Sequence, residues 1–379
     1  MREDSRMITY EILQFIESNA QEKQMNPDIA EVTYNELALK LFQYQFKHNK
    51  AYKKFCQARK RTPLTVKRWI DIPPMPIQGY KELTLSCEPI EEAEAVFMTS
   101  GTTNPEAKGK NYHPDLTIWD ASMKGPFKRF VMPDYEKMTI FVLSPAEDLN
   151  QNSSLSRYLS NAVSYFGTQN SEFFFSEEGL NFERLVSQLK RCEEKREPVL
   201  LMGASFAYVH ILDYLKEKQI QFGLPEKSRI FDTGGFKGQS REVDMEHLYT
   251  EFQAYFQIGR DKCINMYGMT ELSSQIYDQT ILSSYLNTSV IHDKAAAPWI
   301  KTVILNTETL EPVQEGEKGV IAHYDLANWN SCLAILTEDL GCQTENGFVL
   351  LGRIKDSEAR GCSIAVDQLI QSNSGGAVR

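Results

Sequence analysis

The chain has 379 residues, 42% hydrophobic and 24% charged, which suits one large globular domain or two ordinary ones. Its formal net charge of −10 argues against a general nucleic-acid binder. Seven cysteines lie scattered, the closest two, Cys332 and Cys342, ten positions apart, so neither a zinc site nor a disulfide scaffold is suggested and a reducing cytoplasm fits. No stretch approaches the ~20 apolar residues of a membrane span, and Met1 to Arg6 are too polar for a signal peptide.

Residues 8–55 read as helical, with Tyr34, Leu37, Leu41 and Tyr44 on one face. Nine basic residues between Lys47 and Arg68 read as a solvated face, with a docking surface for an acidic partner as the sharper alternative. The Pro-rich stretch 72–76 ends this part. Strands are then predicted at 138–143, 172–175, 199–202, 229–231 and 264–266, and helices at 155–165, 182–194, 206–216 and 243–256. Short apolar runs alternating with helices predict an α/β fold with a mostly parallel sheet covered on both faces. From 301 onward four strand candidates, 301–305, 319–323, 333–336 and 348–351, follow one another without helices. They predict an antiparallel sheet or distorted barrel.

The most informative segment is 97–110, Phe-Met-Thr-Ser-Gly-Thr-Thr-Asn-Pro-Glu-Ala-Lys-Gly-Lys. Thr99, Ser100, Thr102 and Thr103 supply hydroxyls, Gly101 allows close backbone approach, and Lys108 and Lys110 supply cations. Such a loop suits a polyphosphate. It is not a Walker A motif, because Asn104 stands at the first glycine position and Asn111 follows Gly109-Lys110. Four more motifs follow in order: Asp-Thr-Gly-Gly-Phe-Lys at 232–237, Asn-Met-Tyr-Gly-Met-Thr-Glu at 265–271, Leu-Thr-Glu-Asp-Leu-Gly at 336–341 and Gly-Arg-Ile-Lys-Asp at 352–356.

This ordered set resembles the adenylate-forming superfamily. The segment 71–77, the run 353–363 and the short length resemble one branch of it, the acyl-protein synthetases (long-chain-fatty-acid–protein ligases) of bacterial fatty-acid reductase complexes. The resemblance spans roughly positions 40 to 370. It implies an adenylate-forming large domain, divided as an N-terminal helical part (1–85), an ATP-binding core (86–352) and a short C-terminal remnant (353–379).

The resemblance implies that Thr99 to Thr103 and Lys108 bind the triphosphate, that Thr270 meets a phosphate oxygen and that Glu271 holds Mg²⁺. Tyr267 with Gly268 and Met269, and Gly234 with Gly235, would line the adenine pocket. Asp339 would take the ribose hydroxyls, and Arg353 would stand at the hinge. ATP and Mg²⁺ are the implied cofactors. A fatty acid is the implied substrate. A fatty-acyl reductase subunit, with an acyltransferase as a further candidate, is the implied partner.

Cys362 occupies the position of the family's acylated cysteine, with Lys355 and Arg360 close enough in sequence to favour a thiolate. Only 26 residues follow Arg353 and no lysine follows Lys355. The superfamily's late C-terminal lysine is therefore expected to be absent, with either Lys355, Arg360 or the loop lysines serving in its place or adenylation running slowly. This also favours an internal acceptor over coenzyme A. Three readings stand: a ligase that acylates its own Cys362, an adenylating enzyme with an external acceptor such as a carrier protein, and a catalytically weak nucleotide-binding scaffold.

Overall fold

The computed structural model describes residues 1–20, 26–99, 108–234, 240 and 243–354. They form two compact units, one built from 1–125, 269–275 and the chain from 293 onward, the other from 126–268 and 276–292.

The first unit opens with three helices, α1 (Glu3–Ala20), α2 (Pro27–His48) and α3 (Lys50–Ala58). Asn26 caps α2 through the Asp28 N–H, and Pro27 at the first helical position costs no hydrogen bond. Helix 8–55 is not continuous, because Asn49 ends α2 and caps α3 through the Tyr52 N–H. Tyr34, Leu37, Leu41 and Tyr44 share the buried face, as the spacing predicts. Short elements follow: β1 (Met75–Pro76), α4 (Gly79–Glu82), the hairpin of β2 (Ala95–Met98) and β3 (Lys110–His113), and α5 (Thr117–Pro126).

The second unit holds β4 (Thr139–Val142), α6 (Ser154–Phe166), β5 (Glu172–Phe173), β6 (Phe175–Ser176), β7 (Gly179–Leu180), α7 (Phe182–Lys195), β8 (Val199–Ala204), α8 (Ser205–Lys218), β9 (Arg229–Thr233), α9 (Met245–Phe256), β10 (Cys263–Tyr267), β11 (Ile276–Asp278) and α10 (Thr280–Tyr285). The strand order β5-β4-β8-β9-β10 is parallel throughout, and β11 closes it antiparallel to β10. Strand periodicity sorts its side chains. Val199, Leu201 and Ile230 join a core with α7, α8 and α9. On the alternate position Phe231 stacks on Tyr158 of α6 at 5.5 Å. Both faces are covered, which is why these strands read as continuous apolar runs.

The predicted strand 172–175 divides. Phe173 pairs with Val142, Phe174 turns into the core, and Phe175 starts a separate hairpin with β7. An aromatic run hides this break, because every residue in it suits a strand.

The chain returns to the first unit with β12 (Lys294–Ala295), β13 (Ile300–Leu305), β14 (Lys318–Asp325), β15 (Ala334–Thr344) and β16 (Gly347–Arg353). Their order β13-β14-β15-β16-β12 is antiparallel, and β1 adds to β15 in parallel. The antiparallel expectation holds, but β15 runs eight residues beyond the predicted end at 336, reaching Thr344.

Residues 326–333, between β14 and β15, are buried without forming a strand. Buried loop backbone must find partners. Here side chains supply them. Gln45 of α2 donates to the Asn328 and Trp329 carbonyls and accepts from the Leu333 N–H, and Asn49 donates to the Ser331 carbonyl. Among the described residues no helix is long and apolar enough to cross a membrane.

Candidate active site

In the first unit, β2 and β3 pair from Ala95↔His113 to Met98↔Lys110. One step further, the Thr99 N–H donates to the Gly109 carbonyl, and the Gly109 N–H donates to Thr99 Oγ1, both at 2.9 Å. These reciprocal bonds close the foot of the hydroxyl-rich loop. Thr99 thus spends an acceptor position on the loop itself. A Cβ at Gly109 would approach Thr99 Cγ2 to 3.1 Å, so the tight foot favours glycine. Lys108 beside it is half-buried. Ser100, Gly101, Thr102, Thr103, Gly235 and Cys362, with Lys355 and Arg360, lie outside the described residues.

Thr270 and Glu271 come to this hairpin from far along the chain. Thr270 Oγ1 donates to the Met98 carbonyl at 3.4 Å, and Asn111 Nδ2 of β3 donates to the Thr270 carbonyl at 3.0 Å. Asn328 Nδ2 donates to the Glu271 carbonyl, and the Ser273 N–H donates to Asn328 Oδ1. Asp325, at the end of β14, accepts from the Ser274 N–H and the Ser274 hydroxyl at 2.8 Å each, and from the Ala327 N–H at 2.9 Å. Trp299 Nε1 donates to the same Ser274 oxygen. Burial pushes the Asp325 carboxyl up to about 6, held back by the Ser274 bonds.

Glu271 is buried, and burial pushes its carboxyl up to about 7. The positive charges of Lys81 and Arg353 pull it down again, and Glu338 pushes it up. Asp339 and Arg353, from two separate motifs, face each other across β15 and β16 in register, with Arg353 Nε 3.6 Å from Asp339 Oδ1. Gln78 donates to Glu338 on the same strand as Asp339.

In the second unit, β9 and β10 end side by side, with Thr233 paired to Met266. Gly234 and Tyr267 are the next residues on the two chain paths, so the 232–237 and 265–271 motifs meet at neighbouring carboxyl ends. In open α/β sheets this edge is where ligands bind. Gly234 has φ +71° with open space where a Cβ would stand, a turn that glycine adopts without strain. Asp232 is fully buried and accepts from Asn265 Nδ2 at 2.8 Å and from the Tyr249 hydroxyl at 3.2 Å. It therefore fixes the two strand ends to each other. Gly268 follows exposed, and Met269, already in the first unit, is half-buried.

A family model described as acyl-protein synthetase, LuxE, matches residues 5–371. The chain belongs to this family. The long-chain-fatty-acid–luciferin-component ligase of Aliivibrio fischeri is 23% identical over 351 residues, covering 89% of each chain. The protein of the same name from Vibrio harveyi is 21% identical over 346 residues, covering 88% of this chain and 87% of its own. Among solved structures, 2-hydroxyisobutyryl-CoA ligase in an open conformation with 2-HIB-AMP and CoA superposes with a TM-score of 0.62 at 15% identity, over 86% of this chain and 71% of that one. Its postadenylation state with 2-HIB-AMP gives 0.63 at 13% identity, over 86% and 68%. The fold is that of the adenylate-forming ligases, and the chain is a ligase by family.

Residues that the sequence did not single out carry much of this arrangement. Asn111, Asn328, Asp325 and Trp299 hold the 270–274 segment, and Gln78 and Lys81 of the 75–82 stretch face its surroundings. Asn328 had a usable signal, since buried polar residues inside an apolar run, as in 326–333, must satisfy backbone groups.

Two outcomes follow. Asp325→Ala would strand the Ser274 and Ala327 donors in the interior. Urea denaturation should show a loss of at least about 3 kcal/mol. For Glu271, the folded-state carboxyl titrates near 7 against an ordinary 4.5. The fold then binds the proton more tightly than the unfolded chain, so this group's contribution to stability falls as pH rises from 4.5 through 7. Glu271→Gln should stabilise the ligand-free protein by up to about 3 kcal/mol at pH 8 and lose most of that gain by pH 5. Denaturation at the two pH values measures the difference.

Proposed function

We propose that this chain activates a long-chain fatty acid with ATP and passes the acyl group to its own Cys362, from which a fatty-acyl reductase takes it in a cytoplasmic complex. The observation that carries the reading is the joining of Thr270 and Glu271 to the hairpin that bears the hydroxyl-rich loop. A Thr-Glu pair beside a cationic, hydroxyl-bearing loop suits a nucleoside triphosphate and its metal.

In the first step a carboxylate oxygen of the acid attacks the α-phosphorus. The bond from that phosphorus to the bridging oxygen breaks, and pyrophosphate leaves with the electron pair. An anion attacks a polyanion, so the barrier is electrostatic. Lys108, Thr270 and the donors of the loop would neutralise the phosphates. Tyr267 and the Gly234 turn would hold adenine, and Asp339 would receive the ribose hydroxyls in place of its present partner, Arg353.

Among the described residues no cluster of three or more His, Cys, Asp or Glu side chains could hold a metal unaided. Glu271 alone fits Mg²⁺, which takes one or two protein carboxylates and completes its shell with phosphates and water. When bound, Mg²⁺ would supply positive charge to the phosphates.

In the second step the Cys362 thiolate attacks the acyl carbon, the bond to the AMP oxygen breaks, and AMP leaves with that electron pair. The thiol proton is lost to solvent beforehand. Burial of five of the six other thiols supports this choice, Cys342 alone among the six being half-buried. Cys56, Cys87, Cys192, Cys263 and Cys332 are all buried, and burial raises each thiol above its ordinary range, Cys56 to about 12. Such thiols are poor nucleophiles. The basic stretch gives less support to docking, because Lys47 pairs with Asp4 and Arg68 with Asp71, as on an ordinary solvated face.

Pyrophosphate exchange into ATP should require tetradecanoic acid and Mg²⁺. Lys108→Met and Glu271→Gln should each lower it more than about tenfold, a loss of ~1.4 kcal/mol of transition-state stabilisation. Cys362→Ser should keep the exchange and lose the hydroxylamine-labile acyl label. Label that persists in Cys362→Ser, or that appears only on an added carrier protein, would refute self-acylation. Absence of exchange would favour a scaffold.

A further inference from the structure

The stretch 75–82 is built to present one side chain. β1 lies parallel to β15, with Met75 opposite Ile335 and Pro76 opposite Leu336, and the Ile77 N–H donates to the Leu336 carbonyl at 3.0 Å. Gln78 then donates to Glu338, two residues further along β15. A Cβ at Gly79 would stand 2.7 Å from Met75 Sδ, so the chain there packs as closely as glycine permits. The result is a single turn, α4, locked to the strand that carries Glu338 and Asp339. Tyr80 points inward, fully buried, and its hydroxyl donates to Ser331. Lys81 points the other way, exposed.

The Lys81 stem crosses the foot of the loop. Its Cγ lies 3.5 Å from where a Cβ would stand at Gly109, beside the Thr99 hydroxyl. Its charge is felt at the buried Glu271 carboxyl. No ion pair engages it among the described residues. The loop foot, the Thr270-Glu271 segment and Lys81 therefore surround one place, and among the described residues no carboxylate lies within ion-pair distance of Lys81. A lysine held by a locked turn, over a glycine that leaves room for its stem, suits an anion that arrives with the substrate.

We propose that Lys81 is a further substrate-contacting residue of the adenylation step, its ammonium meeting the anionic oxygens of the acyl carboxylate and the α-phosphoryl group as they join. This rests on the adenylation reading above. The two anions must approach each other, and a fixed cation between them lowers the repulsion most where charge concentrates in the transition state.

The test uses the full-length protein with Lys81→Met, which keeps the stem and removes the charge, and with Lys81→Arg. The tetradecanoyl-sulfamoyl adenosine analogue serves as a stable mimic of the acyl-adenylate with an anionic linkage. Calorimetry should show Lys81→Met binding it at least about tenfold more weakly than wild type, with adenosine binding and melting temperature unchanged. Acid-dependent pyrophosphate exchange should fall by a similar factor or more, and Lys81→Arg should restore part of both. Lys81→Met that binds the analogue and exchanges like wild type would overturn the role of Lys81 and leave adenylation intact. Equal loss of adenosine and analogue binding, with a lowered melting temperature, would also overturn it, by making the lysine structural. Wild-type protein that neither exchanges nor binds the analogue would overturn adenylation and this role together.

Discussion

The Asp325 carboxylate is the constraint on which the first unit turns. It sits at the end of a buried strand, out of reach of water, and its oxygens accept from Ser274 twice and from Ala327. A buried acceptor of this kind costs several kcal/mol when its donors are missing and gives little net stability when they are present. What it supplies is position. The segment from Thr270 to Ser274 has no helix or strand to fix it, yet Asp325, Asn328 and Asn111 hold four of its backbone groups. Thr270 and Glu271 stand beside the loop because of these side chains, not because of local propensity.

The same logic runs through the second unit. Asp232 ties the ends of β9 and β10 together through Asn265 and anchors α9 through the Tyr249 hydroxyl. Gly234 can then turn sharply and Tyr267 can finish its strand beside it. In both units a buried carboxylate organises a backbone edge, and the residues proposed to meet the nucleotide lie within a few positions of it. Glu271 is the exception, a buried carboxyl whose own neighbours only partly offset its burial. Sites of this kind store instability where chemistry is done.

The alternating elements of the second unit were legible because its strands are covered on both faces and its helices are amphipathic. The five motifs were legible because each combines glycine, hydroxyl or carboxylate residues that few other contexts require together. Three things were not. The buried path 326–333 contains three polar residues among apolar ones, and only partners distant in sequence explain why they are tolerated: Glu271 and Ser273 for Asn328, Glu88 and Tyr112 for Asn330, and Tyr80 for Ser331. The extension of β15 beyond Leu336 begins Thr-Glu-Asp, which reads as a turn, and becomes a strand through the cross-strand partner Arg353. Lys81 looks like any exposed lysine until Gly109 and Glu271, distant in sequence, are brought to it.

The closed foot of the loop has an entropic consequence. A ligand that orders a free segment must also bring its two ends together, and that cost rises with segment length. Here the ends already meet, through the two bonds between Thr99 and Gly109. The fold has met the ring-closure cost before any nucleotide arrives. In the proposed role, changes of residue between the two posts would retune what the loop binds while the bonds between Thr99 and Gly109 keep its ends together.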